Sequence, residues 1–139
     1  NVLSYKDSRV LDEINLDELR GRYKAVVLCP WQLPKVTGSV DLFANFMSFQ
    51  EMEPDVVRNY IDLVQSLVSK HVLVRNTAVG KKIARSEGDV GVIEQVKSDF
   101  IRDCFTDFRC LASDAFVYGD TNDTGSYQSE VSVLERRRD

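Results

Sequence analysis

Two stretches of the sequence set side chains able to bind a ligand or move a proton directly after apolar runs. The first is Cys29-Pro30-Trp31-Gln32-Leu33-Pro34, which holds the single tryptophan. An indole can lie against a flat heterocycle, and the Gln32 amide can both donate and accept hydrogen bonds. Trp31 can equally cap the core beneath a loop. The second stretch is Asn45-Phe46-Met47-Ser48-Phe49-Gln50-Glu51-Met52, where polar residues alternate with large apolar ones. Gln50 and Glu51 could present an amide and a carboxylate to a bound molecule. Glu51 could serve as a general base if burial raised its pKa. With Glu53 and Asp55 it could instead complement the positive end of the helix that follows. A third group, Arg75-Asn76-Thr77, could touch a substrate, whereas Lys81 and Lys82 beyond it read as part of a solvated loop.

Other chemistries find little support. Gly80-Lys81-Lys82 lacks the glycine spacing of a phosphate loop. The surroundings of Ser48 are not those of a nucleophile elbow. His71, the only histidine, starts an apolar run and so falls at the end of the sheet away from the expected site. Cys29, Cys104 and Cys110 have no metal-like spacing, so neither a zinc site nor a structural disulfide is expected. A net charge of -4 argues against a nucleic-acid partner, and Arg136-Arg137-Arg138 reads as a solvated strand end. No apolar run approaches the ~20 residues that span a bilayer. The first residues are too short and polar a stretch for a secretory signal, so the expected location is cytoplasmic.

The elements that must position these side chains follow from periodicity. The 139 residues suit one α/β domain, residues 1–139, with an ordinary apolar share of 43%. Val2 to Tyr5 reads as a short strand. Ser8 is expected to cap a helix carrying Val10, Leu11 and Ile14, and a second short helix runs from Asn15 to Arg20, stopped by Gly21. Ala25-Val26-Val27-Leu28-Cys29 reads as a strand buried on both faces, as parallel strands are. Val40 to Met47 and His71 to Asn76 are further strands. Between them Val57, Tyr60, Ile61, Val64, Leu67 and Val68 form an amphipathic helical stripe that opens at Pro54. Thr77 to Gly91 is an exposed loop. Ile93, Val96, Phe100, Ile101 and Cys104 form a second helical stripe. Phe108 to Ala112, Phe116 to Tyr118 and Tyr127 to Glu135 are strand-like around turn chemistry at Gly119 to Ser126, which predicts an antiparallel hairpin. The alternation of elements predicts a mostly parallel sheet closed by that hairpin.

The pieces Pro30-Trp31-Gln32-Leu33 and Ser48-Phe49-Gln50-Glu51-Met52, with Gly38-Ser39-Val40-Asp41-Leu42 leading into Phe43 to Met47, resemble the sugar O-methyltransferase family. That family belongs to the class I S-adenosylmethionine-dependent methyltransferases, with a Rossmann-like sheet. The resemblance spans nearly the whole chain. It implies that Ala25 to Cys29 is the third strand of such a sheet, and that Val40 to Met47, His71 to Asn76, Phe108 to Ala112 and Tyr127 to Glu135 are the fourth to seventh. It places Trp31 and Gln32 near the adenine of S-adenosylmethionine, and Asn45 to Glu51 near the methyl donor and an acceptor hydroxyl. Asn45 would then join Trp31 and Gln32 as a cofactor contact. Ser48, Arg75 and Asn76 would face a sugar or glycan, Glu51 would be the base and Gln50 a positioning residue.

Such enzymes open with a strand, a glycine-rich turn and an acidic strand end that holds the ribose hydroxyls. Nothing from Asn1 to Gly21 supplies these. The chain is therefore expected to be the C-terminal portion of such a fold, lacking its first two strands, and to bind the cofactor weakly or not at all by itself. The gap between the third and fourth strands would be closed by movement of the third strand, by another chain or by residues upstream. An unpaired central strand predicts a homo-oligomer. The alternative reading is a non-catalytic α/β binding or scaffolding module.

Overall fold

A computed structural model describes residues 1–86, 88–115, 120–122, 125–127 and 129–138. The elements of the first 37 residues are short. β1 (Val2–Leu3) leads to α1 (Tyr5–Ser8), whose N-cap Ser4 accepts the Asp7 N–H at 3.4 Å. β2 (Ile14–Asn15) runs into α2 (Leu16–Arg20), where Asn15 Oδ1 accepts the N–H groups of Asp17 and Glu18 at 3.0 and 3.3 Å. β3 (Ala25–Val26) pairs in parallel with β1. A 3-10 helix, Pro30–Lys35, precedes β4 (Val36–Thr37), which pairs in parallel with β2.

The larger elements follow. They are β5 (Val40–Phe46), a 3-10 turn at Phe49–Glu51, α3 (Pro54–Leu67), β6 (Val68–Thr77), α4 (Ser98–Cys104), β7 (Phe108–Asp114), β8 (Asp120–Asn122), β9 (Gly125–Tyr127) and β10 (Ser129–Arg136). Four strands make one sheet in the order β5-β6-β10-β7. β5 and β6 are parallel, and β10 is antiparallel to both its neighbours. β8 and β9 form a separate antiparallel ribbon.

One face of the sheet carries the core. Val57, Ile61 and Val64 of α3 lie at helical spacing and pack with Val72, Val74 and Leu134 of the sheet, Ile101 of α4, and Phe49, Val96, Phe105 and Phe108. Phe43, Phe49, Phe105 and Phe108 form a chain of ring contacts with centroids 5.9 to 6.3 Å apart. Each such fully buried side chain stabilises the fold by about 1.5–3 kcal/mol, so this layer dominates stability. The opposite face is more open. Leu42 and Phe46 of β5 are 53% and 55% exposed, and Leu111 is 50% exposed. β5 has no partner on its outer edge among the described residues.

Several sequence expectations change. The sheet is mixed, not mostly parallel: β5/β6 is its one parallel pairing. The third strand shrinks to Ala25–Val26, neither residue of which is buried, and it joins β1 rather than moving beside β5. Ser8 does not cap a helix; its buried hydroxyl donates to the Val27 carbonyl at 2.8 Å. The expected helix at Val10, Leu11 and Ile14 is absent, because Ile14 is fully buried in β2 against Val36. α4 starts only at Ser98, leaving Ile93 83% exposed ahead of it. β7 and β10 pair antiparallel across a β-bulge at Val133/Leu134, and the β8/β9 ribbon lies between them in the chain, where the sequence pattern predicted a turn from Gly119 to Ser126. The strand expected at residues 116–118 lies outside the described residues.

Candidate functional site

Because β5 and β6 are parallel, their carboxyl ends lie side by side, and the chain leaves β5 there through Met47. Met47 has φ 60°, a left-handed conformation that costs a non-glycine residue about 1–2 kcal/mol. Its N–H donates to the Arg75 carbonyl at 2.7 Å, which ties the turn to β6. The strained residue thus redirects the chain at the end of the strand and brings Gln50, in the same turn as Ser48 and Glu51, against Asn76 and Thr77.

Buried amides lock this junction. Asn45 Nδ2 donates to Ser48 Oγ at 2.5 Å. Asn45 Oδ1 accepts from Asn76 Nδ2 at 3.3 Å and from the Phe49 N–H at 3.4 Å. Asn76 Oδ1 accepts the Gln50 N–H at 3.2 Å, and Gln50 Oε1 accepts the Thr77 N–H at 2.6 Å. Gln50 Nε2 reaches Glu51 Oε1 at 3.2 Å. Asn45, Gln50 and Asn76 are all buried. Arg75 Nε donates to Ser129 Oγ of β10 at 2.8 Å. Thr77 Oγ1 is buried without a hydrogen-bond partner among the described residues.

Glu51 stands at the exposed margin of this network. Lys81 donates to Glu51 Oε2, and the two side chains are 32% and 42% exposed. The Lys81 hydrogen bond holds the Glu51 carboxyl below its ordinary range, against the opposing effect of burial. A base raised by burial needs the opposite shift, so Glu51 is an ionised carboxylate at neutral pH.

The structure therefore gathers Asn45, Ser48, Gln50, Glu51, Arg75 and Asn76 at one end of the β5/β6 pair. Trp31 and Gln32 belong to a different hydrogen-bonded unit. Gln32 is fully buried, with Oε1 accepting the Cys29 N–H at 2.8 Å and Nε2 donating to the Ser8 carbonyl at 3.0 Å. Trp31 is 52% exposed, with Lys35 Nζ 5.3 Å from its ring centroid. Sequence reasoning gave Met47 no role, and read Lys81 as part of a solvated loop and Glu53 as a helix-end charge. Only the charges of the last two gave any signal, and both resembled ordinary solvated residues. Among the described residues no cluster of three or more His, Cys, Asp or Glu could hold a metal ion, and no helix is long and apolar enough to cross a membrane.

No family model and no curated protein matches the sequence. Solved structures do match its shape. A magnesium protoporphyrin IX methyltransferase from Synechocystis, with bound SAH, aligns with a TM-score of 0.55 at 13% identity, over 87% of this chain and 56% of that one. The same enzyme with bound SAM gives 0.55 at 12% identity, over 98% and 59%. A S-adenosylmethionine-dependent methyltransferase from Clostridium acetobutylicum gives 0.55 at 7% identity, over 88% and 69%. The fold is therefore methyltransferase-like, an α/β fold with a mixed sheet. The chain spans a little over half the length of the Synechocystis enzyme.

Proposed function

We propose that this chain is the C-terminal, acceptor-side portion of a class I methyltransferase domain. The complete domain would move a methyl group from S-adenosylmethionine to the hydroxyl of a sugar or glycan in the cytoplasm. The observation that carries the reading is the strand order β5-β6-β10-β7, with a polar, backbone-strained turn at the carboxyl ends of its parallel pair. Ligands of open α/β sheets bind outside such ends. Methyl transfer generally is supported by the methyltransferase-like fold. The sugar acceptor rests on the Pro30 to Leu33 and Ser48 to Met52 pieces.

The described residues do not make a whole S-adenosylmethionine site. Gln32, Asn45 and Asn76 already use their amides inside the protein. No glycine-rich turn links a parallel strand to a helix here, and β5 lacks a neighbour on its outer edge among the described residues. Trp31, with an exposed ring, keeps the capacity to stack on a heterocycle. The chain's own part is acceptor handling. Glu51, ionised, can accept a hydrogen bond from an acceptor hydroxyl and orient it. Gln50 fixes the Glu51 carboxylate, while Asn76, Ser48 and Arg75 fix the platform beneath it.

The test is transfer of labelled methyl from S-adenosylmethionine by the protein extended upstream of Asn1, offered glycosides alongside phenolic and carboxylate acceptors. Methylation of a glycoside hydroxyl, reduced by Glu51→Gln, is expected. Methylation of other acceptors alone would remove the sugar, and no methylation of any would favour the scaffolding module. That second reading draws on the same inward-facing amides, which leave few polar groups free to bind a ligand.

A further inference from the structure

Glu53 occupies the N-cap position of α3, yet its side chain makes no cap hydrogen bond to its own helix. Its carboxylate reaches a segment forty residues downstream. Oε1 accepts the Ile93 N–H at 2.9 Å and Oε2 accepts the Glu94 N–H at 3.0 Å. Both oxygens are thus used on two successive backbone donors, which a helix-end charge does not require.

The gripped segment is closed on itself through its described residues, 78–86 and 88–97. The Ala84 N–H donates to the Val92 carbonyl and the Val92 N–H to the Lys82 carbonyl, both at 3.0 Å. Ile83 and Val92 form an isolated parallel bridge. A Cβ at Gly91 would collide with the Lys82 carbonyl, so the two arms lie in direct contact. Gln95 Nε2 donates to the Lys81 carbonyl at 2.7 Å. The grip at 93–94 is therefore passed within one or two residues to the backbone of Lys81, whose ammonium meets Glu51.

We infer that Glu53 is a positioning residue: by gripping the Ile93 and Glu94 N–H groups it holds the 78–97 segment so that Lys81 stays on Glu51. This rests on the methyl-transfer reading only for its consequence, that the segment governs whether Glu51 is available to an acceptor hydroxyl. Lys81 is the charge acting on Glu51, and Gln50 is the neutral donor on its other oxygen. Releasing the segment leaves Gln50 in place and removes Lys81.

The experiment compares the 139-residue chain with Glu53→Ala, Glu53→Gln and Lys81→Met. Carboxyl NMR titration follows Glu51, and amide hydrogen exchange follows Ile93 and Glu94. In Glu53→Ala, exchange at Ile93 and Glu94 is expected to rise about tenfold or more from loss of two hydrogen bonds. The Glu51 titration moves up toward the ordinary carboxylate value, as it does in Lys81→Met. Glu53→Gln, which retains one acceptor oxygen, falls between. The inference is overturned if Lys81→Met moves the Glu51 titration and Glu53→Ala does not. It is also overturned if neither variant moves it, or if Glu53→Ala abolishes protection at Val72 and Val74, which would make Glu53 a requirement of the fold. None of these readouts involves S-adenosylmethionine, so a failed methylation assay leaves the outcome unaffected.

Discussion

Asn76→Ala tests whether the amide network, and not the apolar layer alone, holds the site together. Asn76 is 2% exposed, and its side chain bonds two partners from the β5 side of the junction, the Gln50 N–H and Asn45 Oδ1. Truncation removes the Asn45 contact and strands the Gln50 N–H in a residue that is itself 6% exposed. A buried donor left without a partner costs about 1–3 kcal/mol and a lost hydrogen bond about 0.5–1.5 kcal/mol, so about 2–4 kcal/mol in all is expected. With a urea slope of about 2 kcal/mol per molar, the unfolding midpoint drops by about 1–2 M. The assay is urea unfolding followed by circular dichroism. Lys70→Ala is the control, because Lys70 and Asp41 are 60% and 71% exposed and such solvent-screened pairs contribute little. A cycle with Asn45→Ala should show a coupling of about 0.5 kcal/mol or more, since the two amides touch. If Asn76→Ala shifts the midpoint no further than Lys70→Ala, the network is not structural.

Four shorter predictions follow from the same geometry. Glu51 is depressed in the folded chain, so its pairing stabilises above the ordinary carboxylate value of 4.5 and that gain is lost as pH falls through the lower folded value. Because the pair is partly exposed and screened by solvent, Lys81→Met should lower stability near neutral pH by only about 0.2–1 kcal/mol; a difference that persists in acid would show that the charge pair is not its origin. Met47→Gly relieves a left-handed residue and should be neutral or stabilising by up to about 1 kcal/mol, whereas Met47→Val should destabilise, both read from thermal unfolding. Isothermal calorimetry of the chain with S-adenosylmethionine should show weak or no binding, and micromolar affinity would contradict the incomplete site. Light scattering should report a dimer or larger assembly that Leu42→Lys dissociates, since Leu42 sits exposed on β5, whose outer edge has no partner among the described residues; a monomer without substitution would refute this.

Long periodic segments were legible in the sequence and short ones were not. α3 follows its stripe from Pro54, and Val57, Ile61 and Val64 are buried as that stripe requires. β5 and β6 follow their apolar runs, although β6 starts at Val68, three residues before the expected His71. Most of the misplaced elements lie in the first 37 residues, where elements of two to six residues are set by contacts between distant segments. Ile14 had helical spacing to Val10, yet burial against Val36 outweighed a local preference worth only tenths of a kcal/mol per residue. Gln32 was legible as an amide with donor and acceptor, but its partners, Ser8 and Cys29, depend on how the chain returns on itself.

The site shows the same division between type and partnership. Asn45, Gln50 and Asn76 stood out as candidate ligand contacts because they fall at the carboxyl ends of strands, and as buried polar groups they must find hydrogen bonds. The sequence could not show that they find them in one another. That difference bears on function, because an amide bonded inward shapes a surface instead of contacting a ligand. It moves the chemical burden outward to Glu51 and Lys81, the ionic pair at the margin of the network. The segment carrying Lys81 looked like a solvated loop because its charges and glycines have no periodicity. It is held by the buried side chains of Val92 and Val96 and by Glu53, which is remote in sequence and whose carboxylate serves the segment in place of its own helix. On the proposed methyl-transfer reading, acceptor access at this end of the sheet would then depend on the grip on that segment as well as on the strand ends themselves.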